Sequence, residues 1–415
     1  MRQKDSLMAT ATTLAAWDNA LKQYYRSAEV AKVVYDSHPF MELVPKDEKF
    51  RGKNAPIPVY FNRPQGVSAV FSTAQSNATA SKIGEFLMTR KTAYGVATIA
   101  GEAVAASEGD RFSFLNAMTT EIDGVLRSVG DSIATALYRD GSGAIGQIST
   151  STTVGSAVID LVKDTDVTNF EVGMVLQASG TKSGGSVRSG TITIQSIDRT
   201  ATSDQITCTG NLTAGIAAVA QSDYLYVQGN YDETITGMEG WLPTTAPSGG
   251  DSFFGQDRST DATRLGGQRL DGSSMTIVES LIEAAAITAR EGGKPDYLFC
   301  SFADFVKIEK TLNAQVQREV KQSDSISGYR TLDFYAPHGI VKIIPDKSCP
   351  ESTAFLLELK RWSLMSIGPV VQLTELDGLR VLRQSADDGV ECRVHSYGQL
   401  ACEAPGSNCV ITLPS

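Results

Sequence analysis

Residues Gly109–Gly141 read GDRFSFLNAMTTEIDGVLRSVGDSIATALYRDG. Leu115, Met118, Ile122, Val125, Leu126, Val129, Ile133 and Leu137 recur every three or four positions, so they share one face of an α-helix. Asp110 is placed to cap the first turn. Asp140-Gly141 supplies the stop, since glycine accepts the left-handed conformation that closes a last turn. About 30 residues at ~1.5 Å each make a rod of roughly 45 Å, although Gly124 and Gly130 each cost up to ~1 kcal/mol against alanine. A rod of that length exceeds the needs of a compact domain and is expected to be the spine of a flat or elongated molecule.

Upstream of the spine, Ile57–Phe61, Val67–Phe71, Phe86–Met88 and Tyr94–Ala100 have the composition of strands, with Pro56 and Pro58 confining the first to a sheet edge. TAQSNATAS (Thr73–Ser81) is a polar tip. An isolated two-stranded hairpin is marginal in water, so this one is expected to lie on another subunit. Before it, Leu14–Tyr25 and Ala28–Tyr35 carry short helical patterns too small for a core of their own, which reads as an arm.

Downstream, Ser142–Thr153 is a small-residue linker. From Val154 to Asn230 short alternating runs such as Ile192–Ile194, Ile206–Cys208 and Tyr224–Val227 are separated by Gly, Ser, Thr, Asn and Asp turns, which predicts a small β-barrel or sandwich inserted into the parent chain. Residues 231–273 are mostly irregular, a length that usually has a task. Ser274–Glu291 predicts a helix with Met275, Val278, Leu281, Ile282 and Ala285 on one face, and Ser301 with Asp304 opens another reaching about Leu312. From Gly339 strands dominate, punctuated by Pro345-Asp346, Asp377-Gly378 and Asp388-Gly389, so the C-terminal part is expected to be α+β with one terminal sheet.

A chain of 415 residues is expected to hold two or three domains. Its 41% hydrophobic and 20% charged content is that of a soluble globular protein, no apolar run reaches the ~18 residues of a membrane span, and no secretory signal is present. Folding in a cytoplasm is therefore expected, and the six cysteines, none in a C-x-x-C pair, are expected to be buried thiols. A net charge of −10 argues against a protein that wraps nucleic acid, so DNA contact is expected to be weak and local.

No catalytic constellation emerges. Gly141-Ser-Gly143-Ala-Ile-Gly146 satisfies G-x-G-x-x-G, but a dinucleotide site needs a strand before it and a helix after it; here the order is reversed, and a flexible hinge is expected. His38, His338 and His395 lack a nucleophile motif, no Cys/His cluster suggests zinc, and Asp164 with Asp166 imitates only the start of a calcium loop. No enzyme activity, cofactor or metal is expected. Arg258, Arg264 and Arg269 in the glycine-rich loop either grip carboxylates of a neighbouring subunit or lie on a solvated loop.

The order of these parts resembles that of tailed-phage major capsid proteins of the Hong Kong 97 type. So do Trp241-Leu-Pro243, Asp257-Arg-Ser-Thr260, Leu265-Gly-Gly267, Pro295-Asp-Tyr-Leu298, Gly339–Asp346, Trp362-Ser-Leu364 and Ser396-Tyr-Gly-Gln-Leu400, in order along the chain. The resemblance implies an α+β Hong Kong 97-like capsid fold: an N-arm (1–50), an extended β-hairpin loop (51–106), the spine helix of a peripheral domain (107–149), a β-barrel-like insertion domain (150–232), a continuation of the peripheral domain (233–338) and a mainly axial sheet (339–415). It further implies hexamers and pentamers closing an icosahedral shell around double-stranded DNA, with subunit contacts expected at Thr73, Asn77 and Lys82 of the hairpin and at Arg258, Arg264 and Arg269. A separate scaffolding protein, a portal and a decoration protein are the partners implied, with assembly in the host cytoplasm and no membrane. A nanocompartment shell and a carbohydrate-binding virion protein are the alternatives.

Overall fold

The computed structural model describes residues 38–102, 111–200, 204–315, 331–374, 381–384 and 388–414, with the backbone alone at 111–120, 312–315 and 381. The helical patterns of the arm and Asp110 lie outside them. In chain order the principal elements begin with β1 (Asn54–Asn62), α1 (Phe71–Ser76), β2 (Lys82–Thr89), β3 (Lys91–Ala100) and α2 (Arg111–Tyr138). Next come β4 (Ala144–Gln147), β5 (Val158–Asp160), β6 (Val175–Ser179), β7 (Ile192–Asp198), β8 (Gln205–Cys208) and β9 (Tyr224–Val227). Then follow β10 (Gln268–Asp271), α3 (Ile277–Arg290), β11 (Tyr297–Cys300), α4 (Phe302–Gln315), β12 (Leu332–Ala336), β13 (Gly339–Pro345) and β14 (Thr353–Leu357). The last are β15 (Trp362–Ser366), β16 (Gln372–Leu373), β17 (Val381–Arg383), β18 (Gly389–Cys402) and β19 (Cys409–Thr412). The described residues fall into two compact units, a smaller one within 93–132 and 369–397 and a larger one within 37–92, 133–368 and 398–415.

The spine is the 28-residue helix α2, about 42 Å long at ~1.5 Å per residue. In the smaller unit its apolar stripe meets β3. A Cβ added to Gly95 would stand 2.6 Å from both Val125 Cγ1 and Val129 Cγ2, so only a glycine lets the strand lie this close to the helix. Ala97, Ile99, Cys392 and Val394 are buried, while Tyr94 and Val96 point the other way into solvent. Gly95→Val is expected to overpack this contact and lower stability by about 1–3 kcal/mol, read as a shift of the urea midpoint. An unchanged midpoint would mean that helix and strand part freely.

In the larger unit a mixed sheet runs in the order β10-β19-β14-β11-β13-β12. Helices α3 and α4 bury Leu281, Ala284, Ala285, Phe305 and Ile308 against Leu298, Ile343, Leu356 and Ile411 of this sheet. Thr276 and Glu279 form a reciprocal capping box at the start of α3, and Ser301 Oγ accepts from Asp304 N (3.1 Å) to start α4 at the expected place. The buried face of α3 is rotated from the expected one: Ile277, Ala284 and Thr288 are inside with Leu281 and Ala285, and Ile282 is exposed.

The strands after Gly339 do not form one sheet. β13, β14 and β19 join the sheet just described, β15 pairs with residues 398–402 of β18, and within the smaller unit β16 and β17 pair with residues 390–395 of β18. β18 runs for 14 residues, its burial alternating from Cys392 to Gly398 and unbroken from there to Cys402.

Strands β4 to β9 form a second closed system. The sheet order β5-β8-β7-β6-β9-β4 is joined end to end by the antiparallel bridge Ile148–Leu161, flanked by Ser149 N donating to Asp160 O (2.8 Å) and Val162 N to Gln147 O (2.9 Å). Closure leaves no free edge, and the interior holds Ile148, Ile159, Phe170, Leu176, Ile194, Ile206 and Leu225. This barrel starts at Ala144 rather than 150. Its first strand reads as linker because it is made of small residues, and packing explains the glycine: a Cβ at Gly146 would stand 3.0 Å from the Phe170 ring. Nor is Gly141–Gly146 a loose hinge. Gly141 (φ +94°) and Gly143 (φ +83°) make a tight turn, Asp140 Oδ1 accepts from Ser142 N (3.0 Å), and a Cβ at Gly143 would meet Asn230 O at 2.1 Å.

All six cysteines are buried and unpaired, as expected. Burial pushes the Cys208 thiol up to about 11 and the Cys409 thiol up to about 12. At pH 8 a thiol reagent is expected to spare the folded chain and to modify all six after denaturation; rapid modification without denaturant would contradict these burial assignments.

Candidate subunit-contact surface

β1 and β2 pair antiparallel from Asn54–Thr89 to Tyr60–Ile83, and among the described residues β1 has no other partner, in keeping with Pro56 and Pro58 at a sheet edge. Alternation divides the hairpin into two faces. Ile57, Val59, Phe61, Phe86 and Met88 are buried, whereas Tyr60, Ile83 and Leu87 are exposed.

The buried face rests on this chain rather than on a neighbour, which corrects the expectation that the hairpin has no support of its own. The loop 238–258 supplies the seat. Phe86 meets Trp241 edge-on (5.0 Å between centroids) and Phe253 (5.9 Å), and Trp241 meets Phe253 (5.0 Å) and Phe254 (5.6 Å). Trp241 Nε1 donates to Leu400 O (3.0 Å), and Leu87 N donates to Phe254 O (2.9 Å). The Trp241-Leu-Pro243 and Phe253-Phe254 pairs were the sequence signal for this seat; only the fold reveals what they carry.

Among the described residues nothing covers the outer face and tip. Val67 is 96% exposed, Phe71 80%, Ile83 67% and Tyr60 53%. The expected strand Val67–Phe71 is instead a bend leading into α1, closed by Asn77 N donating to Thr73 O (3.0 Å) and Thr79 N to Gln65 O (3.0 Å). Among the described residues its apolar side chains have no strand to pair with. Thr73, Asn77 and Lys82 are exposed on the same arm.

The three arginines divide. Arg258 is buried, paired with Asp251 (2.9 Å), donating to Gly240 O (2.7 Å) and stacked over Phe253 (4.1 Å). Arg269 donates to the carbonyls of Pro243, Ala262, Gly266 and Gly267 at 3.0–3.3 Å. Both therefore hold their own loop, and neither expected reading, a grip on a neighbour or a solvated loop, describes them. Burial lowers the pKa of both guanidinium groups. Arg264 donates to Phe61 O (2.7 Å) at the tip end of β1 and keeps a partly exposed head.

The histidines serve the scaffold. His38 Nδ1 is 3.2 Å from Ser348 Oγ, His338 Nε2 is 2.6 Å from Pro295 O, and His395 sits between Thr374 Oγ1 (2.6 Å) and Gln372 Nε2 (2.9 Å).

No family model matches the chain, and no curated protein does. Among solved structures it is similar to a chain of the cyanophage A-1(L) capsid asymmetric unit, with 12% identity and a TM-score of 0.54 over 94% of this chain and 96% of that one. A structure from Mycobacterium phage Bobi aligns at 9% identity and a TM-score of 0.43, covering 98% and 100%, and a capsid chain of a native GTA particle at 8% and 0.46, covering 94% and 95%. The cyanophage match extends over nearly the full length of both chains and identifies the fold, the α+β Hong Kong 97-like fold that the sequence resemblance implies.

Proposed function

We propose that this chain is a major capsid protein of a tailed phage, whose copies assemble as hexamers and pentamers into an icosahedral shell around double-stranded DNA. The observation that carries the reading is the shared fold with a phage capsid subunit along 94% of the chain. The uncovered row Tyr60, Ile83, Val67, Val70 and Phe71 supports it, because a soluble monomer rarely presents so many large apolar side chains on one projecting arm. In this reading Thr73, Asn77, Lys82 and Arg264 lie at subunit contacts, while Arg258 and Arg269 act within the subunit. The chain resides in the virion shell after assembly in the host cytoplasm. A scaffolding protein, a portal and a decoration protein are its partners, and it touches packaged DNA weakly. Deleting Thr73–Ser81 is expected to leave the melting of the isolated subunit unchanged and to lower that of assembled particles. Equal particle melting would remove the tip from the contact.

The barrel is, in the same reading, an inserted module. Its seam to the rest of its unit is polar: Lys163 Nζ donates to Glu351 O (2.9 Å), Thr165 Oγ1 to Glu351 Oε2 (3.2 Å), and Arg139 pairs with Asp166 (2.6 Å). Residues 142–232 alone are expected to unfold cooperatively on heating. A disordered circular-dichroism spectrum would reject the module.

A further inference from the structure

A path of contacts runs from the hairpin into the barrel and back. Phe86 of β2 rests on Trp241, and the single helical turn Met238–Trp241 that carries the indole also carries Glu239. Glu239 Oε1 lies 2.8 Å from Lys182 Nζ, which is also 3.0 Å from Asp140 Oδ2. Lys182 belongs to the barrel loop between β6 and β7. Burial opposes its charge, but Glu239 and Asp140 outweigh burial and hold the ammonium above its ordinary pKa. The path returns through the barrel's exit: Asp232 O accepts from Lys91 Nζ (2.6 Å), which also pairs with Glu233 (3.0 Å). Lys91 opens β3, just past the end of β2 at Thr89.

The loop that carries Lys182 is held still by the barrel itself. Gly184-Gly185 would give a free loop many conformations, yet this one is fastened repeatedly. Tyr226 Oη donates to the carbonyls of Thr181 (3.1 Å) and Lys182 (2.9 Å), Gly184 N to Asp232 Oδ2 (3.0 Å) and Gly185 N to Tyr231 Oη (2.9 Å). A Cβ at Gly185 would stand 2.2 Å from Thr181 Oγ1, so the close approach needs glycine. Tyr231 and Asp232 form the same exit segment that receives Lys91, so Lys182 and Lys91 are gripped from one ordered piece of chain. The path borders a groove of about 460 Å³ lined in part by Lys91, Asp140, Asp232 and Glu239. The buried core of the barrel and that of the mixed sheet share no residue, and the ties between barrel and body described above are polar.

We infer that the barrel clamps the hairpin of its own chain, with Lys182–Glu239 gripping the seat and Lys91–Asp232/Glu233 gripping the start of β3, so that the stability of the hairpin is set in part by the barrel. The inference goes beyond the shell reading and does not depend on it, because every link lies within one chain. An isolated surface ion pair is worth little, since ordering two long side chains offsets its attraction. Here the Lys182 loop is already ordered by its own hydrogen bonds, and its ammonium meets two carboxylates at once, so the pairs act as a network. Coupling of this kind is reciprocal: what loosens the barrel's grip loosens the hairpin.

Hydrogen exchange of the full, unassembled chain tests this in K182E, E239K, the charge swap K182E/E239K, and K91M. The readout is the backbone of β1 and β2, because a contact that only fixed its own loop would alter exchange at 181–188 and 238–242 and nowhere else. Each single substitution is expected to speed exchange in β1 and β2 by about tenfold, and the swap to return it to within about threefold of wild type. The mixed sheet β10-β19-β14-β11-β13-β12 is expected to keep its rates. Change confined to 181–188 and 238–242, or a swap no better than its parts, overturns the inference. So does faster exchange throughout the chain, or a single variant that does not fold, since either makes these contacts a general tie rather than a clamp on the hairpin. None of these outcomes bears on the shell reading, which particle formation tests separately.

Discussion

Replacement of Trp241 by alanine is expected to destabilise the larger unit by about 3–5 kcal/mol, the range for deleting a large buried aromatic. Trp241 is fully buried, and its ring is the hub on which Phe86 of the hairpin and Phe253 and Phe254 of the loop converge. Alanine removes all three ring contacts and leaves Leu400 O without the indole N–H. Collapse around the cavity is restricted, because Arg258 is fixed against Phe253 by its stacking and its ion pair. Trp241→Phe separates the terms: it keeps much of the packing, loses the hydrogen bond, and should cost less than alanine, with about 1–3 kcal/mol from the unsatisfied carbonyl. Urea unfolding measures both, and hydrogen exchange should show the backbone of β1 and β2 losing protection first. A loss under about 1 kcal/mol for alanine would mean that the hairpin is seated elsewhere.

Asp346→Ala is the second large effect expected, about 3–5 kcal/mol, because three buried donors lose their acceptor at about 1–3 kcal/mol each. This carboxylate is fully buried at the end of β13 and gathers three separate pieces of chain. Oδ2 accepts from Tyr138 Oη (2.9 Å), the last residue of α2, and from Phe40 N (3.3 Å), while Oδ1 accepts from Ser348 N (2.9 Å). Around it Phe40 packs on Tyr138 (5.6 Å) and Phe299 (5.3 Å). Burial, and then the adjacent Asp346 charge, hold the Tyr138 phenol well above its ordinary pKa, so it remains a donor across neutral pH. Alanine would leave three buried donors unsatisfied at once. Tyr138→Phe removes a single bond and should cost about 0.5–1.5 kcal/mol. If Asp346→Ala cost no more than Tyr138→Phe, the carboxylate would not be the tie that the geometry makes it.

What was legible in the sequence follows physical range. The spine was legible because Val125, Val129, Ile133 and Leu137 repeat with the helical period, a signal carried by neighbours three and four residues apart. The stop at Asp140-Gly141 was legible for the same reason: one aspartate and one left-handed glycine settle it locally. Strand membership was not. β13 and β18 both fall in the strand-rich stretch expected to make one terminal sheet, yet one lies beside β11 and the other beside β15, a choice made by partners far away in the chain. Val67–Phe71 has strand composition and finds no strand to join. The arginines misled for a related reason, since guanidinium groups in a glycine-rich loop look available until Asp251 and the loop's own carbonyls are seen to occupy Arg258 and Arg269. The hairpin seat was hidden because Phe86, Trp241 and Phe253 meet only in three dimensions.

Cryo-electron microscopy of the particles formed by the full chain tests the central claim most directly. The account predicts a closed icosahedral shell in which this fold repeats as hexamers and pentamers, with the outer face of each hairpin, Tyr60 and Ile83 included, covered by an adjacent copy. A field containing only monomers, or a shell in which every hairpin stands free of its neighbours, would contradict it.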